Sequence, residues 1–460
     1  MDYRTGVEGR RWNLSFKHQL TKRNHLQKPT VNVFWFRRDL RLDDNKGLQK
    51  ALKGNLPVLP IFIFDKNILD KLPRVDARVQ FIHEQLQKMR QTLQKEYSSS
   101  LGIYRGTPVE VFSALLDDFE IESVFTNHDY EPYAERRDNQ VYDLFEREYI
   151  EFNTYKDQVI FEKSEVVKDD GDPYVVYTPY MKKWKQVFAD HTLEPFEIAP
   201  FADNFFKTDA LPNTDLSDIG FKPSPIKVPD YDLTPETIQN YEDTRNFPAI
   251  DGTSRIGPHL RFGTVGIRRV FQKALAEKNE TFLNELIWRE FFMQILWHYP
   301  HTRDESFKKK YDRIEWRNKE DEFQKWCEGK TGYPLVDAGM RELNETGYMH
   351  NRVRMLVGSF LCKHLLIDWR WGEAYFAEKL LDYEMSSNVG NWQWVAGSGV
   401  DAAPYFRIFN PTTQIKKFDK DREYIKNWIP EVDTDKYPEP MVDHKEARER
   451  CLATYKKALG

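Results

Sequence analysis

The hydrophobic pattern changes once along this chain of 460 residues, and that change limits the folds open to it. From Val31 to about residue 160, short apolar runs alternate with amphipathic stretches, which predicts strands joined by helices. Beyond Thr234 the strand signal disappears, and helical periodicity continues to Ala458. We therefore predict an α/β domain with a parallel, Rossmann-like sheet, followed by a large all-helical domain.

Four parts follow from this pattern. Residues 1–29 carry seven Lys/Arg against two Asp/Glu without clear periodicity, which is typical of a mobile basic tail. Residues 30–160 form the α/β domain, 161–230 an irregular connector rich in Pro, Asp and Lys, and 231–460 the helical domain. Within the α/β domain we predict strands at 31–36, 57–64, 101–105 and 123–127, and helices at 44–52, 76–97, 107–119 and 133–147.

Composition excludes several classes of protein. A mean hydropathy of -0.71 without a long apolar run excludes a membrane-spanning protein. The three cysteines are widely spaced, which excludes a disulfide scaffold and a cysteine zinc site and fits a reducing compartment. The first residues lack the apolar core of a secretory signal. Because the net charge is -5, any binding of nucleic acid must use a local basic patch.

Common catalytic motifs are absent. No G-x-G-x-x-G follows the first strand, so a dinucleotide-binding motif is absent there, and no G-x-S-x-G motif of hydrolases occurs. No H-E-x-x-H motif occurs either, and we predict no metal site. The segment Gly329-Lys330-Thr331 resembles the end of a P-loop, but Gln324 stands where that motif needs its first glycine. Hydrolase, kinase and zinc-enzyme functions therefore lack sequence support.

One helical segment groups residues that suit a nucleobase ligand. Helical spacing places Glu285, Trp288, Arg289 and Phe292 on one face. A carboxylate, an indole and a guanidinium there could bind a base edge, stack on the base and hold its phosphate. Spacing alone favours the plainer interpretation, an amphipathic helix with a Glu–Arg surface pair.

Two further segments suit anionic ligands. Asn351 and Met355 share a helix face with Arg354 beside them, which fits either a polyanion site or a solvated basic turn. Thr253 and Ser254 precede an apolar helix, where hydroxyls either bind phosphate or cap the helix. Tryptophan is also unevenly distributed, since nine of the 12 residues lie between Trp288 and Trp428.

Taken in order, these segments resemble the photolyase/cryptochrome family over nearly all of residues 31–455. The resemblance implies an α/β antenna domain and a helical domain that holds a U-shaped FAD. The motifs that carry it are residues 36–45 (FRRDLRLDDN), 253–260, 285–291, 330–334 (KTGYP), 350–355 (HNRVRM) and 391–411.

The resemblance also implies roles for single residues around the cofactor. Asn388 matches the residue that faces flavin N5, and Arg354 and Asp382 match an ion pair over the isoalloxazine ring. The positions that match flavin phosphate contacts are Tyr241, Thr253 and Ser254, and those that match the chain of indoles carrying electrons from the surface are Trp392, Trp369 and Trp316.

Further matches imply a DNA site. Glu285, Asn351 and Met355 match the pocket that contacts a cyclobutane pyrimidine dimer, and Trp288 and Trp394 match its aromatic walls. The residues that match phosphate-holding positions are Arg245, Arg289, Arg352 and Arg407.

The implied function is light-driven repair of pyrimidine dimers in UV-damaged DNA, by electron transfer from reduced FAD to a flipped-out dimer. Asn388, with Asn351 and Met355, makes the chain most similar to class I cyclobutane-dimer photolyases; the alternative is a cryptochrome-type blue-light photoreceptor. A second, antenna chromophore (folate, deazaflavin or another flavin) and an empty antenna site both stay open. We expect a monomer, cytoplasmic and associated with the nucleoid if the source is bacterial.

Several positions depart from the family pattern, among them Gly257 and Tyr348. Gly257 stands where many members have Ser, which removes one phosphate contact, and Tyr348 replaces a usual Trp just before His350.

Overall fold

A five-stranded parallel sheet forms the core of the first domain. The computed structural model describes residues 28–277 and 279–460, so nearly all of the predicted tail at 1–29 lies outside the described residues. The sheet order is β3-β2-β1-β4-β5, and all four strand pairs are parallel. The strands are β1 (Thr30–Phe36), β2 (Val58–Asp65), β3 (Gly102–Gly106), β4 (Glu120–Asn127) and β5 (Glu151–Tyr155).

Helices cover both faces of this sheet, and capping residues fix where several of them begin. The side chains of Asn45 and Asp76 accept backbone N–H bonds at two helix starts, and Thr107 forms a capping box with Glu110. The helices of this domain are α1 (Lys46–Leu52), α2 (Lys66–Leu69), α3 (Ala77–Tyr97), α4 (Pro108–Asp118) and α5 (Pro132–Arg147).

The predicted fold class is confirmed, with two local corrections. The sequence prediction missed the edge strand β5, whose residues are only partly buried or exposed and lack an apolar run. It is also wrong in treating all of residues 161–230 as irregular, because helix α6 (Tyr177–Phe188) lies there. Tyr180 and Trp184 of α6 are buried in the core of the helical domain.

The rest of the chain is helical and encloses two large apolar cores. One core centres on α12, α13 and α15, and the other on α6, α9 and α10. These helices are α7 (Pro235–Thr244), α8 (Gly257–Phe262), α9 (Ile267–Ala276), α10 (Glu280–His298), α11 (Glu320–Cys327), α12 (Pro334–Thr346), α13 (Asn351–Ser359), α14 (Trp369–Lys379), α15 (Met385–Ala396), α16 (Pro411–Phe418), α17 (Glu423–Trp428) and α18 (His444–Leu459). A π-helical turn (Phe360–His364) continues α13. No helix in the described part of the chain is long and apolar enough to cross a membrane.

Buried ion pairs join the two domains. Arg268 of α9 lies 2.6 Å from carboxylate oxygens of both Asp44 and Asp157, and Arg41 lies 2.5 Å from Asp157. Gly266 is required beside them, because a Cβ at this position would lie 1.8 Å from the Asp44 carboxylate. The charges are therefore held in a close-packed interface rather than at the surface.

Two neighbouring arginines allow this interface to be tested. We predict that Arg268→Met lowers the free energy of unfolding by about 3–5 kcal/mol, because it leaves the buried Asp44 carboxylate without its cation and Asp157 with Arg41 alone. The matched variant Arg269→Met breaks a pair with Asp43 in which the side chains are 49% and 50% exposed. It should cost less than about 1 kcal/mol. Urea unfolding of the three proteins measures both effects, and equal losses would contradict a special role for Arg268.

Candidate active site

A cavity of the helical domain lies among α8, α10, α13, α14 and α15. It leaves about 230 Å³ for the centres of water molecules. Both polar and apolar side chains line it: Leu260, Arg261, Arg289, Asn351, Arg354, Met355, Phe376, Leu380, Asp382, Tyr383, Glu384, Ser387, Asn388, Asn391, Trp392, Trp394 and Val395, with Gly257 and Gly358. Seven of these are residues that the sequence prediction assigned to cofactor, substrate or electron transfer, and an eighth, Arg289, was assigned to DNA.

An ion pair spans one wall of the cavity. Arg354 of α13 donates two hydrogen bonds to the Asp382 carboxylate, at 3.1 and 2.9 Å, and a third to the carbonyl of Met349 at 2.7 Å. Burial lowers the pKa of Arg354, but Asp382 more than reverses this, so the net shift is upward. A Cβ on Gly257 would lie 2.9 Å from the Cβ of Asp382. The glycine therefore makes room for the carboxylate.

Asn388 lines the cavity from α15, and a glutamate orients its amide. Its Nδ2 donates to Glu373 Oε1 at 2.8 Å and to the Glu373 carbonyl at 3.1 Å. Because both donors are directed to Glu373, the Oδ1 of Asn388 is the atom left for another partner. Burial raises the pKa of Glu373, and the hydrogen bond from Asn388 partly opposes that rise.

Charged groups from both domains meet at another wall. Glu384 lies 3.6 Å from Arg38 and 3.9 Å from Arg261, while Arg261 lies 2.6 Å from Glu131 of the α/β domain. Although burial alone raises the pKa of Glu384, Arg38 and Arg261 lower it overall. The carboxylate is thus stable as an anion beside the cavity.

Arg289 belongs to this wall, and its predicted place among the DNA phosphate contacts is not retained. Its guanidinium donates to the carbonyls of Gln158 at 2.7 Å and Leu260 at 3.5 Å. Burial lowers its pKa to about 10. Helical spacing placed Arg289 next to Trp288, but neighbouring elements cover that part of α10, which spacing cannot show.

Three residues matched to the lesion pocket also line the cavity, whereas Glu285 does not. Asn351, Met355 and Trp394 line it together, although they come from α13 and α15. Asn351 is exposed and begins α13, directly after the capping residue His350. Arg352 Nη1 lies 3.7 Å from the sulfur of Met355, and Arg352 also donates to the Asn246 side chain.

Three predicted phosphate-binding arginines lie near one another beside this group. Burial lowers the pKa of Arg352, and repulsion by Arg245 and Arg407 lowers it further. Arg245 also pairs with the Glu285 carboxylate at 2.5 Å. Arg407 is exposed on the loop that follows α15. Mutual repulsion of guanidinium groups indicates a surface suited to an anion.

The second predicted aromatic wall is partly covered. The Trp288 ring stacks on Tyr177 of α6, with centroids 3.6 Å apart and an angle of 7°, and lies 5.5 Å from Phe292. Trp288 does not line the cavity. Its role as a wall for a flipped base stays a prediction, whereas Trp394 is directly at the cavity.

The predicted phosphate contacts lie next to the cavity rather than in its wall. Thr253 and Ser254 belong to the loop before α8, and Ser254 is buried. The Thr253 hydroxyl lies 3.3 Å from the hydroxyl of Tyr348. Tyr241 lies under the guanidinium of Arg245, which is 5.2 Å from its ring centroid.

The three predicted electron carriers belong to one apolar core but differ in burial. Trp392 lines the cavity and is buried, Trp369 is buried in the same apolar core, and Trp316 packs against that core while half-buried. A Cβ on Gly372 of α14 would lie 2.1 Å from the Trp392 ring, so the glycine lets this indole lie against α14. The indole N–H of Trp369 has no hydrogen-bond partner among the described residues.

The sequence prediction assigned no role to three residues of the site, of which it noted only Tyr348, as a departure from the family pattern. Glu373, Arg261 and Tyr348 each act through a contact with a distant segment: Asn388, Glu131 and Thr253, respectively. Glu373 is a single carboxylate on a helix without a motif, so nothing in the sequence distinguished it.

Family models match both halves of the chain. The model described as DNA photolyase matches residues 32–200, and the FAD binding domain of DNA photolyase matches residues 282–435. Together they cover most of the chain, in the order of the two domains seen in the structure.

Similar proteins match over nearly their full lengths. The deoxyribodipyrimidine photo-lyase of Halobacterium salinarum is 36% identical, across 94% of this chain and 100% of its own. A class III photolyase from Agrobacterium tumefaciens has a similar structure, with 32% identity, a TM-score of 0.83 and coverage of 94% and 98%. An archaeal photolyase from Sulfolobus tokodaii, solved with two FAD molecules, has 33% identity, a TM-score of 0.79 and coverage of 93% and 100%.

The residues around the cavity fit the FAD implied by the matched FAD-binding domain. An isoalloxazine ring needs apolar contact and a few directed polar groups. The apolar contact comes from Leu380, Phe376 and Trp392. The directed polar groups are the guanidinium of Arg354 and the Oδ1 of Asn388 that Glu373 leaves available. A second chromophore stays open for this chain, and the Sulfolobus relative shows that a related protein holds two flavins.

A buried histidine next to the cavity predicts acid sensitivity. The Nδ1 of His350 accepts the backbone N–H of Arg352, and burial, with repulsion by nearby arginines, lowers the pKa of His350 to about 4. In the unfolded chain the pKa of this histidine is ~6.5. Between this value and about 4, the unfolded state therefore binds more protons than the folded state, and the free energy of unfolding falls as the pH drops through this range. Between pH 7.5 and pH 5, the free energy of unfolding of the wild type should fall by about 2 kcal/mol more than that of His350→Asn, a variant that keeps a helix cap.

Urea unfolding of both proteins at the two pH values measures this difference. His301→Asn is the matched control, because His301 is exposed and its loss should leave the pH dependence of the wild type intact. Parallel loss of stability in wild type and His350→Asn would show that His350 is not protonated on unfolding.

Proposed function

Because the chain belongs to the DNA photolyase/cryptochrome family, we propose that it repairs cyclobutane pyrimidine dimers in UV-damaged DNA with light absorbed by FAD. One observation carries the proposal: Asn351, Met355 and Trp394 line the same cavity as Arg354, Asp382 and Asn388. The residues matched to lesion contacts and those matched to flavin contacts thus share one space. A flipped dimer in this space would lie against the cofactor.

Affinity for DNA comes from the arginines beside the cavity. Burial lowers the pKa of Arg352, and repulsion by Arg245 and Arg407, which come from two other segments, lowers it further. A phosphate backbone relieves this repulsion and releases counterions. Such contacts orient DNA without reading its sequence, which suits an enzyme that must act on damage anywhere.

Lesion recognition rests on shape and on a few polar groups. Trp394 offers an aromatic surface for a flipped base, and Met355 offers an adaptable apolar contact. Asn351 is exposed at the start of α13 and can hydrogen bond to a base edge. Glu285 is paired with Arg245, so its contact with the lesion requires this pair to open or to bind the base as a unit.

FAD, when bound, reduced and excited by light, would supply the electron that splits the dimer. The chain's own residues hold and tune the site. Glu373 fixes the Asn388 amide so that Oδ1 faces away from it, which suits acceptance of a hydrogen bond from the cofactor. The Arg354–Asp382 pair places a cation and an anion at one wall. Trp392, Trp369 and Trp316 offer a route for electrons that restores the reduced cofactor.

Class and lesion range are open to the same assay. The similar Agrobacterium protein is a class III photolyase, so membership of class I stays a prediction from Asn388, Asn351 and Met355. The decisive experiment incubates purified, photoreduced protein with an oligonucleotide that contains one cyclobutane dimer, in light and in darkness. We expect repair only in light. Unchanged dimers would reject the proposal and favour a cryptochrome-type photoreceptor, while a (6-4) oligonucleotide in parallel defines the lesion range.

The proposed DNA contact by Arg407 predicts a change in salt dependence. Arg407→Gln should reduce the slope of log affinity against log salt by about 0.7–0.9, because one phosphate contact is lost. Fluorescence anisotropy with a dimer-containing duplex at several salt concentrations measures the slope. Arg313→Gln is the control, since Arg313 is also exposed but lies outside the candidate site. An unchanged slope for Arg407→Gln would remove Arg407 from the DNA interface.

The proposed electron route predicts a specific defect. Trp392→Phe should lose most of the light-driven reduction of oxidised FAD, because phenylalanine is much harder to oxidise than indole. Chemical reduction should restore repair, since the route only supplies electrons. Trp371→Phe is the matched control: Trp371 is half-buried on α14 but lies outside the proposed route. Transient absorption measures both variants, and normal photoreduction in Trp392→Phe would exclude this residue as a carrier.

A further inference from the structure

We propose that Tyr348 is a further positioning residue for FAD, and that its hydroxyl replaces the one that Gly257 lacks in the phosphate-binding region. The inference rests on the proposed function only in taking FAD as the ligand and the loop of Thr253 as its phosphate site. Both positions depart from the family pattern, and the structure links them.

Gly257 cannot carry a side chain in this site as it stands. A Cβ there would lie 2.9 Å from the Cβ and 3.0 Å from the Oδ2 of Asp382. Asp382 in turn is held by Arg354, whose guanidinium also lies 5.7 Å from the Tyr348 ring centroid. Gly257, which lacks the family's hydroxyl, lies against Asp382, the partner of Arg354. Tyr348, which carries a hydroxyl, lies near Arg354 itself. The two positions therefore lie beside the same arginine.

The hydroxyl of Tyr348 reaches the phosphate loop from the far side. It lies 3.3 Å from the Thr253 hydroxyl. Burial raises the pKa of Tyr348, so the phenol keeps its proton and can donate to an anionic oxygen. Burial also raises the pKa of Tyr241, with smaller upward contributions from Glu285 and Tyr348, so a second matched phosphate residue lies near this phenol.

The ring of Tyr348 supports the loop as well. The Arg255 guanidinium lies 4.5 Å from its centroid, a cation–π contact, while Arg255 also pairs with Asp251 at 3.2 Å. Arg255 has a φ of 51°, in the left-handed region that a residue with a Cβ enters only at a cost. The contact with Tyr348 helps to hold this conformation and so keeps Thr253 in place.

Removal of the hydroxyl alone tests the proposal. Tyr348→Phe keeps the ring and its cation–π contact, so the loop should stay folded, but FAD should dissociate about tenfold faster, as expected for one lost hydrogen bond to a charged group. Release of FAD from the holoprotein after dilution is followed by its fluorescence. Tyr375→Phe is the matched control, because the Tyr375 hydroxyl donates to Asn344 at 2.6 Å away from the cavity.

Two competitors separate positioning at the phosphates from a general loss of structure. ADP carries the diphosphate and riboflavin carries only the ring, and each is added to the apoprotein to slow rebinding of FAD. Tyr348→Phe should weaken the binding of ADP by about the same factor as the binding of FAD, and it should leave the binding of riboflavin unchanged. Equal weakening of both competitors, or a dissociation rate like that of the wild type, would overturn the proposal.

A double-mutant cycle checks the link with the loop. The double variant Tyr348→Phe/Thr253→Val should release FAD more slowly than the product of the two single rate increases predicts, because each substitution removes one partner of the same hydrogen bond. Multiplicative effects would overturn the link. A wild-type protein that holds FAD but repairs nothing would reject the proposed function and leave this inference intact, whereas a wild type that takes up no FAD would reject both.

Discussion

The ion pair between Arg354 and Asp382 is the contact on which the candidate site depends most. It joins α13 to the segment that leads into α15, and these two helices carry Asn351, Met355 and Asn388. A half-buried pair of this kind is costly to break, since either partner alone would be a charge with reduced access to water. The need to hold it explains why Gly257 has no side chain, and it fixes the distance between α13, which carries Asn351 and Met355, and α15, which carries Asn388.

The wall built by Arg38, Arg261, Glu131 and Glu384 ties this site to the α/β domain. Side chains of both domains therefore line or support the cavity, and the interface around Arg268 keeps the domains in one arrangement. The α/β domain is thus a structural part of the site. A change at the domain interface should reach the cavity through Arg261 and Glu384.

The sequence predicted the two halves well because each has a strong and distinct periodicity. It missed β5 and α6 for opposite reasons. Strand β5 lies at a sheet edge without an apolar run, whereas α6 looked polar although Tyr180 and Trp184 are buried. Site residues within motifs, such as Asn351 and Asn388, do come together at one cavity. Glu373 could not be predicted, because its importance arises only from the fold that brings it to Asn388.

Local charge, rather than net charge, explains how an acidic chain can bind DNA. The chain carries -5 overall, yet many of its carboxylates are used inside, where Asp44, Asp157 and Glu384 neutralise buried arginines. Near the cavity the balance differs, because Arg352 contacts a methionine and an asparagine, and Arg407 is exposed. Positive charge left without a carboxylate at this one surface is enough to attract a phosphate backbone, since screening confines the effect to about 10 Å.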